Sequence, residues 1–258
     1  MAIEIKPISA YADYKAAEQV QADVLGFGPL DVVPYQILQS FAQSGGAVIG
    51  AFDSSALIGV VMGYTGLLPD GAPYHRSQRM AVLPSYRGQG VGAALKHAQA
   101  DVARSRGLRL MCWTFDPLRA LNAHLNLHKL GAVSRRYIPD AYYASSSPRD
   151  AGAPIDRLWV EWDLALRESR ERPAYPLPPS PVKAIRLLGD QPSEPDLSSN
   201  EPVVVIQIPP NIDAVRAQGA DRLLEWRMAT RAAFERYVSD GYIVVDYLRE
   251  QGYILVKA

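Results

Sequence analysis

Residues 80–92 constrain this chain more than any other stretch. They read Met80-Ala81-Val82-Leu83-Pro84-Ser85-Tyr86-Arg87-Gly88-Gln89-Gly90-Val91-Gly92. An apolar strand ends at a proline, and alternating glycines then open a proline-free stretch rich in Ala, Leu, Lys and Gln. The pattern predicts a helix from Gly90 to Arg106, stopped by Gly107. Backbone N–H groups in a glycine-rich turn at a helix N-terminus wrap an anion, and missing side chains let phosphate oxygens come within hydrogen-bond distance. A pyrophosphate fits such a turn.

The surrounding order narrows the choice of phosphate ligand. Ile3, Ile5 and Ile8 mark a short opening strand, and Tyr11 to Leu25 places Tyr14, Ala17, Val20 or Gln21, and Val24 at helical spacing. Ala47–Phe52 and Leu57–Leu67, joined by Asp53-Ser54-Ser55, form a hairpin, and a third strand near His75–Leu83 completes an antiparallel meander. After the helix come a strand at Leu108–Phe115, a helix from Leu118 to Leu130, and strands at Val133–Ile138 and Asp156–Leu164.

Three phosphate-binding patterns compete for this segment. The nucleotide P-loop, Gly-x-x-x-x-Gly-Lys-Ser/Thr, is absent. The dinucleotide fingerprint is met loosely by Gly88, Gly90 and Ala93, but it needs parallel strands and an acidic residue some 20 positions on; Asp116 comes late. The third, Arg/Gln-x-x-Gly-x-Gly/Ala, is satisfied by Arg87, Gly90 and Gly92 and resembles the pyrophosphate loop of the GNAT (Gcn5-related N-acetyltransferase) superfamily. The order of elements over residues 1 to about 165 resembles that family too. The bland alternative is a glycine turn without a ligand.

Cys112-Trp113-Thr114-Phe115-Asp116-Pro117-Leu118, with Asn122-Ala123, Asn126 and His128–Ala132, resembles a bacterial subgroup of predicted acetyltransferases. Glu225-Trp226-Arg227, Thr230-Arg231, Phe234 and Gly241-Tyr242 look like part of it. The resemblance implies an α/β GNAT fold with a mixed central sheet flanked by helices, and acetyl-CoA or another acyl-CoA as co-substrate. It implies backbone pairing of Met80, Ala81 and Val82 with pantetheine. Pyrophosphate binding falls to Arg87, Gly88, Gln89, Gly90, Val91 and Gly92, and Asn122 is a further cofactor candidate.

The catalytic groups are less marked. Many members of that family carry a tyrosine four residues before the glycine that ends the second helix, as acid to the leaving thiolate; here the position is Leu127. The candidates in its place are His124, His128, Tyr142 and Tyr143, with Tyr143 preferred. The stretch Tyr74–Arg79 has no carboxylate for a general base, which leaves His75, whose imidazole titrates in the useful range. Asp116, at the end of a strand and before Pro117, is a base, a substrate anchor or a helix cap. Glu225, Arg227 and Arg231 either line a pocket or form a docking ion-pair network.

Composition excludes little more. Lys+Arg and Asp+Glu are 27 each in 258 residues, giving no global pull toward nucleic acid or anionic membrane. The single cysteine, Cys112, rules out an internal disulfide and a cysteine zinc cluster; packing suits it better than nucleophilic work. No metal is expected, neither a signal peptide nor a membrane span is evident, and the cytoplasm is the expected location. Prolines crowd residues 166–202. The expected organisation is therefore an acyltransferase domain at 1–165, an arm or linker at 166–202, and a small β-α-β-β module at 203–258, which covers the core or completes a homodimer contact. The expected activity is acyl transfer to a small-molecule or peptide amine. A catalytically degenerate acyl-CoA-binding regulatory or scaffold protein is the alternative.

Overall fold

A computed structural model describes residues 3–142, 153–165, 175 and 177–258. They form two compact units, one of residues 3–113 with 163–165 and one of 114–142, 153–162, 175 and 177–258.

In the first unit, β1 (Glu4–Pro7), β2 (Ala47–Asp53), β3 (Ala56–Leu67) and β4 (Pro73–Val82) pair antiparallel in sequence order, as the meander predicts. β5 (Leu110–Phe115) joins β4 in parallel. Alternation along the strands feeds two cores, as a period of two requires. Val48, Val60 and Met62 pack with Tyr14, Ala17 and Val20 of α1 (Tyr11–Leu25) and Leu38 of α2 (Tyr35–Gln43). Ile49, Ile58 and Val61 face Val91 and Leu95 of α3 (Val91–Ser105). Gly26 and Gly107 adopt left-handed backbone just past α1 and α3. That conformation costs little only for glycine and ends a helix.

In the second unit, α4 (Ala120–Ala123) continues into a π-helical turn at His124–Lys129. Strands β6 (Val133–Ile138) and β7 (Arg157–Asp163) are antiparallel. Residues 182–192 carry β8 (Val182–Ile185), β9 (Leu187–Leu188) and β10 (Gln191–Pro192). Residues 203–257 carry β11 (Val203–Ile206), α5 (Ile212–Arg216), α6 (Ala220–Ser239), β12 (Tyr242–Leu248) and β13 (Gly252–Lys257). This is the expected β-α-β-β order with one extra short helix. β12 pairs with β6 and β13, β13 with β11, and β11 in parallel with β8. Trp226, Phe234 and Tyr237 on α6 are fully buried, as are Tyr242, Tyr247 and Tyr253 on the strands. Among the described residues no helix is long and apolar enough to cross a membrane.

Candidate functional site

β4 has two unlike edges. Along β3 it is paired from Leu67↔Pro73 to Gly59↔Val82, with one slip: Met62 faces Arg79 and Gly63 faces Ser77, leaving Gln78 as an extra residue. Such a bulge bends the strand and changes its aim. Along β5 the ladder holds only His75↔Met111 and Arg76↔Cys112. Beyond that point the strands part, and Met80, Ala81 and Val82 keep their β3 partners but have none in β5. An open strand edge of this kind is a row of backbone donors and acceptors that an amide-bearing ligand can pair with.

The segment that follows turns the chain into α3. A 3-10 turn at Pro84–Tyr86 is pinned where the Tyr86 hydroxyl donates to Asp53 Oδ2 at 2.8 Å. Arg87 Nε donates to the Val82 carbonyl at 3.1 Å, and Gln89 Nε2 to the Ser85 carbonyl at 2.9 Å. Gly88 (φ 77°) and Gly90 (φ 84°) sit in the left-handed region, yet a Cβ at either would meet nothing within 4 Å. The backbone conformation therefore demands glycine there, and the space over the loop is open. Arg87–Gly90 are exposed, Val91 anchors the turn in the core, and no side chain caps α3. The first N–H groups of a helix lack partners within it, so this end suits a phosphate.

The interior beside the parting point holds polar groups that the sequence reading overlooked. Lys96 of α3, 3 % exposed, donates to Ser77 Oγ at 2.7 Å and lies over the Trp113 ring, 3.8 Å from its centroid. Ser77 donates in turn to Gln99 Oε1 at 2.6 Å. Burial drives the Lys96 ammonium well below its usual range, and the Arg76 charge pushes the same way. His75, the expected base, is fully enclosed, and neither ring nitrogen has a hydrogen-bond partner. Burial, with Lys96 and Arg106, lowers its pKa to about 4. Its ring and the Gln99 amide occupy the room beside Gly63, where a Cβ would stand 2.5 and 2.9 Å from them. A signal for this cluster was available: Lys96 and Gln99 fall on the stripe of Val91, Leu95, Ala100 and Ala103 that α3 buries.

The other candidates belong to the second unit. Asp116 Oδ1 accepts from the Leu118 backbone N–H at 3.0 Å and from Arg227 Nη2 at 2.9 Å; Oδ2 lies 3.9 Å from Arg119 Nε. Its carboxylate thus holds a turn and an ion pair. Asn122 is exposed on α4, and Asn126 is buried. Leu127 is fully buried. His124 and His128 stack at 4.8 Å, with His128 Nδ1 3.1 Å from Asp246 Oδ1. The Tyr142 hydroxyl lies 3.3 Å from Thr114 Oγ1, and Tyr143 lies outside the described residues. Arg227 and Arg231 take the ion-pair role: Arg231 binds Asp156 at 2.5 Å and Asp140 at 2.9 Å. Glu225 instead pairs with Arg222 on the same helix.

The antiparallel strands before the loop are those of the meander and not of a doubly wound dinucleotide unit. Residues 19–131 match the family model described as Acetyltransferase (GNAT) family. That span, under half of the 258 residues, is similar to the GNAT acetyltransferases. Solved structures share the GNAT fold. The NatC complex bound to Gag peptide and CoA aligns at TM-score 0.52 and 13 % identity, covering 63 % of this chain and 99 % of that one. The yncA protein of Salmonella typhimurium with its cofactor acetyl-CoA gives 0.52 and 17 %, covering 64 % and 95 %. Arabidopsis thaliana NAA60 in complex with a bisubstrate analogue gives 0.50 and 17 %, covering 63 % and 98 %. A comparison with curated proteins finds no match.

Proposed function

We propose that this protein is a GNAT-type acyltransferase that moves an acetyl or other short acyl group from acyl-CoA to an amine, by direct attack in a ternary complex. One observation carries the reading: the edge of β4 at Met80–Val82 has no β5 partner, with the Val82 carbonyl accepting from Arg87 Nε at 3.1 Å, and leads through the Pro84–Tyr86 turn into the glycine turn Arg87–Gly92 at the head of α3. The edge offers main-chain partners to pantetheine amides, and the turn offers N–H groups to the pyrophosphate. The amine nitrogen attacks the thioester carbonyl carbon, a β4 N–H holds the oxyanion, and collapse forms the amide and releases the CoA thiolate. The ammonium proton goes to solvent; His75, enclosed and with its pKa near 4, is the poorer acceptor. Acceptors include small amines and peptide amines, the latter supported by the similar structure that holds a Gag peptide together with CoA.

Calorimetry with acetyl-CoA and CoA tests this, beside an Arg87→Glu, Gly90→Asp variant that puts negative charge in the loop without removing core atoms. Binding by the wild type and its loss in the variant is the expected result. A folded wild type that ignores both ligands overturns the reading. The buried Leu127 in place of a phenol favours one alternative, an acyl-CoA-binding protein without turnover. That alternative predicts CoA binding with no amide formed from any amine in a broad acceptor screen.

A further inference from the structure

Lys96 stands at the point where the two central strands of the first unit part. Arg76↔Cys112 is the last β4–β5 pair, and the next residue on each strand is Ser77 and Trp113. Lys96 Nζ touches both, donating to Ser77 Oγ at 2.7 Å and lying 3.8 Å from the Trp113 ring centroid. One helical turn on, Gln99 Oε1 accepts from the same Ser77 hydroxyl at 2.6 Å. Two side chains of α3 therefore grip β4 one residue before the Gln78 bulge, and the same helix carries the glycine turn at its N-terminus.

A lysine is an expensive way to fill this place. Its neighbours on α3, Leu95 and Ala100, are fully buried apolar residues. Burying an amine without a carboxylate costs more than burying an alkyl chain, and among the described residues no carboxylate pairs with Lys96. The charges acting on Lys96 and His75 are those of Arg76, Lys96 and Arg106, all positive. Such a group, held against its own desolvation beside a ligand-facing edge, is a functional candidate on physical grounds.

We propose that Lys96 is a positioning residue of the acyl-CoA site, a strut from α3 that fixes where β4 leaves β5 and so aims the open edge at Met80–Val82 toward pantetheine. The inference rests on the acyl-CoA reading above. Lys96 touches no ligand itself; it acts through Ser77 and Trp113.

The test separates the two ends of the ligand. Calorimetry of the full chain with acetyl-CoA, and with 3′-phosphoadenosine 5′-diphosphate, the CoA fragment lacking pantetheine, is run on wild type, Lys96→Met and Ser77→Ala. Lys96→Met is expected to weaken acetyl-CoA about tenfold, the order that lost preorganisation produces, while leaving the fragment's affinity unchanged and Tm equal or higher. Ser77→Ala removes the lysine's acceptor with a smaller change of volume and is expected to move acetyl-CoA in the same direction, which keeps the test open if the first variant folds poorly. Acetyl-CoA affinity unchanged in both variants overturns the strut while the acyl-CoA reading stands. Equal weakening of both ligands with a falling Tm also overturns it, since that marks a general packing role. A wild type that binds neither ligand removes the acyl-CoA reading and this inference with it.

Discussion

Helix α6 and helix α3 both bury basic side chains, on opposite terms. On α6, Arg227 meets Asp116, and Arg231 meets Asp156 and Asp140, while the Tyr137 hydroxyl closes on Asp156 Oδ2 at 2.6 Å. On α3, Lys96 has a hydroxyl and an aromatic face, and the nearby His75 has no hydrogen-bond partner. A buried charge that finds its counter-charge repays much of its desolvation; one that does not must give up its proton or cost stability. The protonation directions follow. The carboxylates around Arg227 and Arg231 hold both guanidinium groups above their usual range, against the opposing effect of burial. Lys96 and His75 are pushed down toward neutrality. The α6 network reads as architecture of the second unit, and the α3 cluster as a place where the first unit accepts instability.

The largest effect should come from breaking the paired side. Asp156 is fully buried and accepts from Arg231, from Tyr137 and from the Asp140 backbone N–H. Asp156→Ala strands Arg231 and the tyrosine, and should cost about 3 kcal/mol in urea unfolding; a loss below about 1 kcal/mol would place the network among surface pairs. Burial alone would raise the Asp156 pKa, but Arg231, Tyr137 and the Asp140 N–H outweigh it and hold the group low. A depressed carboxylate contributes stability that is complete above its unfolded value of about 3.9 and is lost as pH falls through the lower folded value. The wild type should therefore lose this contribution only below about pH 4, and Asp156→Asn should remove that acid limb.

The unpaired side predicts a loss at milder pH. His75 is lowered to about 4 in the folded state, chiefly by burial, against about 6.5 unfolded. Its contribution is complete above about 6.5 and drains away as pH falls toward 4, because the unfolded chain takes the proton first. Between pH 7 and 5 this single group should remove roughly 2 kcal/mol of stability. His75→Gln should flatten the curve in that window and leave the Asp156 limb untouched. A wild-type curve already flat from pH 7 to 5 would mean that His75 is solvated or paired, and the contrast between the two helices would lose one of its two legs.

How much of this contrast was legible beforehand depends on what each residue's neighbours are. The loop Arg87–Gly92 and the meander before it were readable because both are local: glycines at fixed spacing and alternating apolar runs announce themselves within a dozen residues. The Arg227 and Arg231 network was legible as a kind of contact, since arginines beside Trp226 on an amphipathic helix need acids, but Asp140 and Asp156 as partners come from the tertiary arrangement. His75 is a base candidate in the sequence because nothing in Tyr74–Arg79 reveals that the ring is enclosed beside Lys96 and Gln99 of α3. Lys96 was hidden by its residue type, since lysine on an Ala- and Leu-rich helix is by default a surface residue; only its register with Leu95 and Gln99 pointed inward. Helix α2, Tyr35–Gln43, was passed over for want of a capping residue: Pro34 precedes it and no side chain caps it. The strands of the arm were obscured by its prolines.

The smallest expected effect tests whether pairing matters only when water is excluded. Arg222 and Glu225 form an ion pair on α6, the helix that buries Arg227 and Arg231, and the sequence alone gives these charges no different weight. Glu225 has half its side-chain surface in solvent, whereas Arg227 has 5 %. Screening and side-chain entropy should offset the attraction, so Glu225→Ala should change stability by less than about 0.5 kcal/mol. The same urea titration measures it beside Asp156→Ala. If the two losses come out alike, burial is not what distinguishes the contacts of α6, and the lack of a carboxylate partner among the described residues is not what makes Lys96 on α3 costly to bury.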